Sequence, residues 1–578
     1  MKSKISFFFC AFLMAYAGSL FYPRWEKGGG EAQLSWDASG YYWYLPSVFI
    51  YHDLKAQTFK DSILQKYHPV PPEDFQQGFK LPSGDYVMKY TAGMAIMELP
   101  FFAIAHVSAQ PLGYDADGFS RPYQFMIYAG AMLFVFIGLW YLRRLLLLYY
   151  SDLVTAIVLL LLVLGTSYLN YASIDVGMTH CWLFSLYVFI LWNTHFYYQS
   201  FQRKYALRLG ALIGLITLVR PTEAIAVLIP LLWGLEAVSR TALKERIRLF
   251  KTHIRTLLAA SFIGLCIVSL QFIYWKYASG HWFVYSYGDQ GFSWLSPHFR
   301  QYTLNFQCGW LVYTPVMFFA LIGIIPFVKR GRNKLAILAL IAINYYIVCA
   351  WNAWDYGGRA MIQSYPVLMF PLASFMQSVL SRKLLTWIVA PVALLFIYFN
   401  LWWTYQAHKG SLAGNIPGTS AYFWATVLRY DLPPEIQKLK DNKDLFQGTV
   451  TNAVVLYQNA LTDTTTVTKE VQQSFVFPAP AQKFKWIRAE AAFFTPAKES
   501  NLWFMTHFRI RLKKAGQQLE ERSIRVQRFL EQGVWQTINV DIQVDNQDFD
   551  QVEILFSNEN NGPTTCVINN LKVIGFNE

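Results

Sequence analysis

The chain has 578 residues, of which 54% are hydrophobic, 18% aromatic and only 15% charged, with a mean hydropathy of +0.26. A soluble protein carries roughly a quarter charged residues, so the composition excludes an ordinary soluble enzyme and points to a polytopic membrane protein. The formal charge of +13 does not make a nucleic-acid binder, because the basic residues sit in short connectors between apolar runs: Arg143-Arg144, Arg203-Lys204 with Arg208, the cluster Arg240, Lys244, Arg246, Arg248, Lys251 and Arg255, then Lys329-Arg330 and Arg382-Lys383. That is the positive-inside pattern, which orients spans in a bilayer.

In chain order, a first apolar run at 5–22 follows Lys2 and Lys4. Ala15-Tyr16-Ala17 resembles a signal-peptidase site, so a cleaved leader competes with an uncleaved first helix. On either reading residue 23 emerges outside. Runs long enough to span follow near 122–142, 152–170, 178–199, 206–221, 222–238, 255–276, 309–328, 334–351, 362–380 and 384–404, about eleven with the first. The pair 206–221 and 222–238 requires a tight turn at Arg220-Pro221. The apolar run 91–106 carries Glu98 between Lys89 and His106. If it crossed the membrane, Arg143-Arg144 and the 240–255 cluster would both face outward, so the charge rule keeps it in the interface or makes it re-enter. The outer face then receives 23–121, 171–177, 220–222, 277–308, 352–361 and the tail beyond 405.

After Gln406 the composition changes. Residues 406–449 read as a linker with Gly410, Gly414, Pro417, Pro433 and Pro434, and 450–578 as an external β-sandwich domain, jelly-roll-like. Ile538, Val540, Ile542 and Val544 alternate with polar residues, as do Val552, Ile554 and Phe556, and the Asn-Asn-Gly within 558–563 signals a turn between strands. The ending at 566–576 looks like the last strand of jelly-roll carbohydrate-binding modules, and a glycan-binding and a structural role are both open. The six cysteines show neither a disulfide framework nor metal-ligand spacing.

The residue with the clearest chemical potential is Asp37, in Ser-Trp-Asp-Ala-Ser-Gly-Tyr-Tyr-Trp-Tyr (35–44). It can be a solvated loop carboxylate. Alternatively, Trp36, Tyr41, Tyr42, Trp43 and Tyr44 form an interfacial aromatic belt that pins the loop to the membrane, and the carboxylate serves as a base for a hydroxyl beside a lipid-anchored donor. There is no phosphate-cradling Walker loop, no His-rich metal motif and no Asp-x-Asp pair, so a nucleotide-sugar donor is unsupported.

A single acidic residue in the first external loop resembles the GT-C glycosyltransferases, in pattern nearest to the protein O-mannosyltransferases and the bacterial aminoarabinose transferases that modify lipid A. Val-Met-Lys-Tyr-Thr-Ala-Gly (87–93), ahead of Leu-Pro-Phe-Phe (99–102), is similar to a Lys-Pro-containing segment of that family, with Thr91 and Ala92 in place of the prolines. Tyr-Ala-Ser-Ile-Asp-Val-Gly (171–177) resembles the turn where the family often keeps a second acid, here Asp175. Leu-Val-Arg-Pro-Thr-Glu (218–223) and Trp-Asp-Tyr-Gly-Gly-Arg (354–359) resemble turns of bacterial members. The resemblance covers 1–405 and implies a GT-C-like transmembrane glycosyltransferase domain. It further implies a polyprenyl-phosphate sugar donor, a protein, lipid or glycan acceptor, and transfer at the outer face of the inner (plasma) membrane, with Asp37 as base and Asp175 assisting.

Other readings stay beside these. Asp175 suits a helix N-cap equally well, and His180 a packed residue. Lys89, Arg220 and Arg359 are the external cations suited to a lipid-linked phosphate, although Arg220 can instead snorkel to headgroups and Asp355 can simply pair with Arg359. Tyr41, Tyr287 and Asp289, with Tyr285, Trp282 and Trp294, can contact a sugar or merely anchor a loop. No cofactor is expected, and a divalent cation is left open. Two rival functions are a lipid-linked sugar flippase or transporter, which needs polar or broken helices at mid-membrane, and a membrane-anchored glycan-binding protein working through its β-domain.

Overall fold

The computed structural model describes the chain except residues 71–74, 289, 307–308, 353–355, 410–418, 432, 460–464, 469–471, 498, 500–503, 545–546, 559–563 and 578. It divides into two compact units, Met1–Ala413 and Gly414–Glu578.

The first unit is helical. Among the described residues four helical stretches are long and apolar enough to cross a membrane: Lys2–Glu26, Arg121–Leu146, Ile254–Ser279 and Lys383–His408. This is the make-up of an integral membrane protein. The sequence predicts about eleven spans, a count these four helices do not confirm; the other apolar runs form helices that are shorter or more deeply packed. Asp152–Gly165, Pro221–Leu232 and Lys334–Ala350 are apolar but shorter, and Thr179–Ser200 is packed inside protein with Ser185, Asn193 and Thr194 buried, so it need not be as greasy as a lipid-facing helix. The 222–238 run breaks after Leu232, and Gly234 turns the chain in the left-handed region (φ +79°).

Local chemistry explains the main helices. Arg121–Leu146 starts with Pro122 in its first turn and ends on Arg143 and Arg144, which complement the negative end of the helix dipole. One face, with Ile127, Ala131, Val135, Leu139 and Leu142, is buried. Ser151 caps Asp152–Gly165 by accepting from the Val154 amide. Arg203–Val219 crosses Ile254–Ser279 through Gly210 and Gly214, where a Cβ at Gly210 would lie 2.0 Å from the Ala260 carbonyl oxygen. This is the small-residue crossing that lets two helix backbones touch.

The run 91–106 forms the helix Gly93–Ala109, packed against Arg121–Leu146 and Arg203–Val219. Its Glu98 is fully buried. The expected aromatic belt at 41–44 is not one. Tyr41, Tyr42, Trp43 and Tyr44 are buried and only Trp36 is exposed. The long segment before residue 121 has enough apolar surface to make its own core, with Leu34, Phe59, Ile63, Phe102 and Phe119 around Tyr42 and Trp43. Their polar ends are satisfied inside protein: Tyr42 donates to the Gly118 carbonyl (2.6 Å) and Trp43 to Gln57 Oε1 (2.8 Å).

A hairpin in this lobe pairs β1 (Gly78–Lys80) with β2 (Tyr86–Met88). In the second unit the strands are β3 (Val454–Asn459), β4 (Thr465–Val467), β5 (Gln473–Pro478), β6 (Trp486–Phe494), β7 (Thr506–Lys514), β8 (Gln517–Arg525), β9 (Gln536–Gln543), β10 (Gln551–Asn558) and β11 (Cys566–Phe576). They form two antiparallel sheets, ordered β5-β10-β7-β8 and β3-β11-β6-β9 with β4 also on β11. The period-2 pattern buries Ile487, Ala489, Ala491 and Phe493 along β6. Both sheets contribute to one core, where Phe508 lies 5.3 Å from Phe493 and 4.9 Å from Phe556 between ring centroids. The last strand, β11, is central rather than an open edge. Part of the stretch read as linker is structured within this unit: the helix Ser420–Thr426 is present, and Asp441 pairs with Arg525 and Arg528. The Asn-Asn-Gly turn lies outside the described residues.

Candidate active site

Asp37 stands in the first turn of the short helix Trp36–Tyr42, where the helix dipole favours a negative charge. The approach is tightly held. Arg24 donates to the carbonyls of Glu31 (3.0 Å) and Ala32 (3.0 Å) and to Ser35 Oγ (3.0 Å). Trp36 takes a left-handed backbone (φ +48°), costly for a bulky residue, and its amide donates to the Pro69 carbonyl at 2.9 Å. One turn on, Gly40 lets the helix meet Tyr90: a Cβ there would lie 2.5 Å from the Tyr90 ring. Tyr90 can therefore donate its hydroxyl hydrogen to Asp37 Oδ1 at 2.8 Å, while Arg359 Nη2 donates to Oδ2 at 3.1 Å. The Asp37 side chain remains 34% exposed, which suits a base that must be reached.

The other walls come from distant segments, each fastened to the next. The Lys89 amide extends the β1–β2 ladder by donating to the Gln77 carbonyl (2.8 Å). Tyr44 donates to the Tyr90 carbonyl (2.6 Å), Ser286 to the Lys89 carbonyl (2.6 Å) and Thr91 to the Val219 carbonyl (3.1 Å). Lys89 Nζ lies 5.4 Å from the Tyr90 ring centroid and 5.8 Å from that of Tyr287, within cation–π range. The Tyr41 and Tyr90 centroids are 4.3 Å apart, and Tyr287 meets Tyr90 edge-on at 6.0 Å. Arg359 follows Gly357 and Gly358, both left-handed (φ +64° and +60°). Only glycine takes that pair without strain, and it turns the chain so that the arginine reaches Asp37.

Arg220 ends the helix Arg203–Val219. Among the described residues its buried Nη1 has no hydrogen-bond partner. Burial pushes the Tyr41 and Tyr90 phenols up, and the Asp37 charge pushes the same way. Tyr287 is raised to about 12 by burial, with Arg220 pulling it down and Asp37 up. The three phenols are therefore neutral hydrogen-bond donors at physiological pH.

Behind the arginines runs a buried polar chain. Gln363 Nε2 donates to Glu223 Oε1 at 2.7 Å, Tyr187 donates to Glu223 Oε2 at 2.7 Å, and His180 Nδ1 meets Gln363 Oε1 at 3.0 Å. His180 is thus a packed residue facing Gln363.

Of the residues singled out in the sequence, Asp37, Tyr41, Lys89, Tyr287 and Arg359 meet directly or through Tyr90, and the Arg220 charge bears on the Tyr41 and Tyr287 phenols. Asp175 does not join them. It forms an ion pair with Arg24 and accepts from Asn170 Nδ2 (3.2 Å). Nor does it cap the next helix, whose N-cap is Met178. Its turn still supports the site, because Gly177 packs beneath Ala38, where a Cβ would sit 2.8 Å from the alanine's. Segments 171–177, 277–308 and 352–361 thus each contact the part of 23–121 that carries Asp37. Trp282, Tyr285 and Trp294 are exposed, and Asp289 and Asp355 lie outside the described residues. Sequence reasoning missed Tyr90, although it sits inside the quoted 87–93 segment, and it missed the Glu223–Gln363 pair, which no local pattern announces. Among the described residues no three His, Cys, Asp or Glu side chains converge to hold a metal ion.

The arrangement offers one accessible carboxylate oriented by two donors, three cations beside it and neutral phenols around it. It can accept a proton from a hydroxyl and neutralise an anion close by. No family model and no curated protein matches the chain. The solved structures similar to it include two glycosyltransferases. One is the Archaeoglobus fulgidus oligosaccharyltransferase in the apo form, 12% identical with a TM-score of 0.39, covering 77% of this chain and 61% of that one. The other is the arabinosyltransferase EmbB from Mycobacterium smegmatis, 10% identical with a TM-score of 0.33, covering 84% of this chain and 61% of that one. The chain spans about three fifths of the length of each.

Proposed function

We propose that this protein is a GT-C-type membrane glycosyltransferase that moves a sugar from a polyprenyl-phosphate donor to a hydroxyl of a protein, lipid or glycan at the outer face of the membrane. One observation carries the reading. Asp37 is held by Tyr90 and Arg359 beside Lys89 and Arg220, in a helical unit suited to a bilayer. The donor's lipid tail stays in the membrane and its phosphate meets the three cations. Asp37 takes the proton from the acceptor hydroxyl as its oxygen attacks the anomeric carbon in line. The bond from that carbon to the phosphate oxygen breaks, and its electron pair leaves on the phosphate. Charge-assisted hydrogen bonds from the arginines stabilise that leaving anion.

The test is Asp37→Asn in purified, lipid-reconstituted protein, following release of polyprenyl phosphate by mass spectrometry. Loss of a general base costs on the order of 100- to 10,000-fold. The substituted side chain can also turn an amide nitrogen toward Arg359, donor against donor, so Arg359→Gln is measured beside it. Activity within a few fold of the parent in Asp37→Asn would remove the carboxylate from the mechanism.

A further inference from the structure

The geometry points to Gln363 and Glu223 as a positioning pair that sets the spacing of the two site arginines. This rests on the transferase reading above, in which both arginines face the donor phosphate. Arg220 leads into the 3-10 turn Pro221–Val227, and Arg359 lies within the irregular segment Tyr356–Ser364. Neither segment has the rigidity of an α-helix. Among the described residues a side-chain hydrogen bond joins them, from Gln363 Nε2 to Glu223 Oε1. On one side, the Glu223 amide donates to the Arg220 carbonyl at 2.9 Å, so the carboxylate and the arginine belong to one turn. On the other, Gln363 lies four residues after Arg359 in the same segment.

With Glu223 ionised, the bonds of this chain all run one way. Gln363 Oε1 can only accept, so His180 donates through Nδ1–H, and Gln363 must turn its amide nitrogen to Glu223. Tyr187 donates to the remaining oxygen of the carboxylate. Glu223 and Gln363 are each 1% exposed, and a buried carboxylate is costly unless hydrogen-bonded. An apolar pair would fill the same space without that cost, but it would hold the two turns in no particular register.

The fixed polarity supplies a test that a mere packing role would not pass. Gln363→Glu sets two carboxylates against each other. The exchange Glu223→Gln with Gln363→Glu restores the chain: residue 363 then accepts from His180 and from the new amide, and Tyr187 donates to the amide oxygen at 223. The measurement is binding of polyprenyl phosphate to the full chain in nanodiscs, with thermal unfolding alongside. Arg220→Gln and Arg359→Gln should each weaken binding, Gln363→Glu should weaken it roughly tenfold or more, and the exchange should return it toward the parent. Should Gln363→Glu fail to fold, the exchange variant decides: folded and binding supports the pair, folded and not binding overturns it. Parent-like binding by Gln363→Glu while the arginine variants lose it would overturn the positioning role and leave the transferase reading standing. Parent-like binding by the arginine variants would overturn that reading and the inference with it.

Discussion

Arg359 Nη2 reaches Asp37 Oδ2 at 3.1 Å across 322 residues of sequence. On the proposed reading the same guanidinium would also meet the donor phosphate, so the cation that orients the carboxylate would be the one an incoming anion engages. Tyr90 on the other oxygen (2.8 Å) would then keep Asp37 in place if Arg359 turned to the anion.

Tyr90→Phe should therefore lower kcat by about 10- to 100-fold, the worth of a hydrogen bond to a charged group, with donor KM nearly unchanged. The ring stays to pack on Tyr41 and Gly40, so folding is spared. Steady-state kinetics with varied donor checks it. A rise in KM at constant kcat would make Tyr90 a donor-binding group instead.

Asp175 and Arg24 should behave as one unit. Both are largely buried (19% and 17% side-chain exposure), and Arg24 ties down the loop that leads to Asp37. Asp175→Asn and Arg24→Gln should lower thermal stability and activity alike, and the double variant should be no worse than the poorer single. A double-mutant cycle with coupling of about 0.5–3 kcal/mol is expected. Strictly additive effects, or an Asp175→Asn variant as inactive as Asp37→Asn, would make Asp175 a chemical participant.

Sidedness follows from the basic connectors. Single cysteines at 277–308 and 440–578 should react with an impermeant thiol reagent added outside intact cells, and cysteines at 240–255 should not. Labelling of 240–255 from outside would invert the assignment of the Asp37 face.

The second unit should lose stability in mild acid. Burial pushes His507 down to about 3, with Arg509, Arg525 and Arg528 adding to the effect and Asp441 opposing it. The folded imidazole stays neutral while the unfolded one binds a proton below pH ~6.5. Stability is then complete above that pH and falls as pH drops toward 3, by at most about 1.4 kcal/mol per pH unit. Hydrogen exchange of β7 at pH 7 and pH 5.5 reads this, and His507→Gln should flatten the difference. An unchanged slope in that variant would assign the acid sensitivity to another group.

How much of this was legible in the sequence depends on the range of the interaction. Charge placement grouped 23–121, 171–177, 220–222, 277–308 and 352–361, because the basic connectors are local and their effect on topology is simple. It thereby gathered Asp37, Lys89, Arg220, Tyr287 and Arg359 with no contact to guide it. The alternation along β9 and β10 was equally readable. The burial of Tyr42 to Tyr44 was not, since an aromatic run reads alike whether it faces lipid headgroups or a core built from residues 59, 102 and 119. The Asp175–Arg24 pair was not legible for a related reason: Arg24 sits far upstream in the chain, and nothing in either neighbourhood marks the pair. The count of spans was less legible, because an interior helix such as Thr179–Ser200 is shielded by protein and carries buried polar residues that lower its hydropathy.

The core beneath Asp37 also sets what the bilayer can influence. Tyr42, Trp43 and Phe119 pack together under the short helix that carries the carboxylate, so its floor is protein and not acyl chain. On the proposed reading, changing lipid length or head-group composition would alter how often and at what depth the lipid-borne donor arrives. The distance between the carboxylate and its arginine would be kept, and the same chemistry would persist in membranes of different thickness.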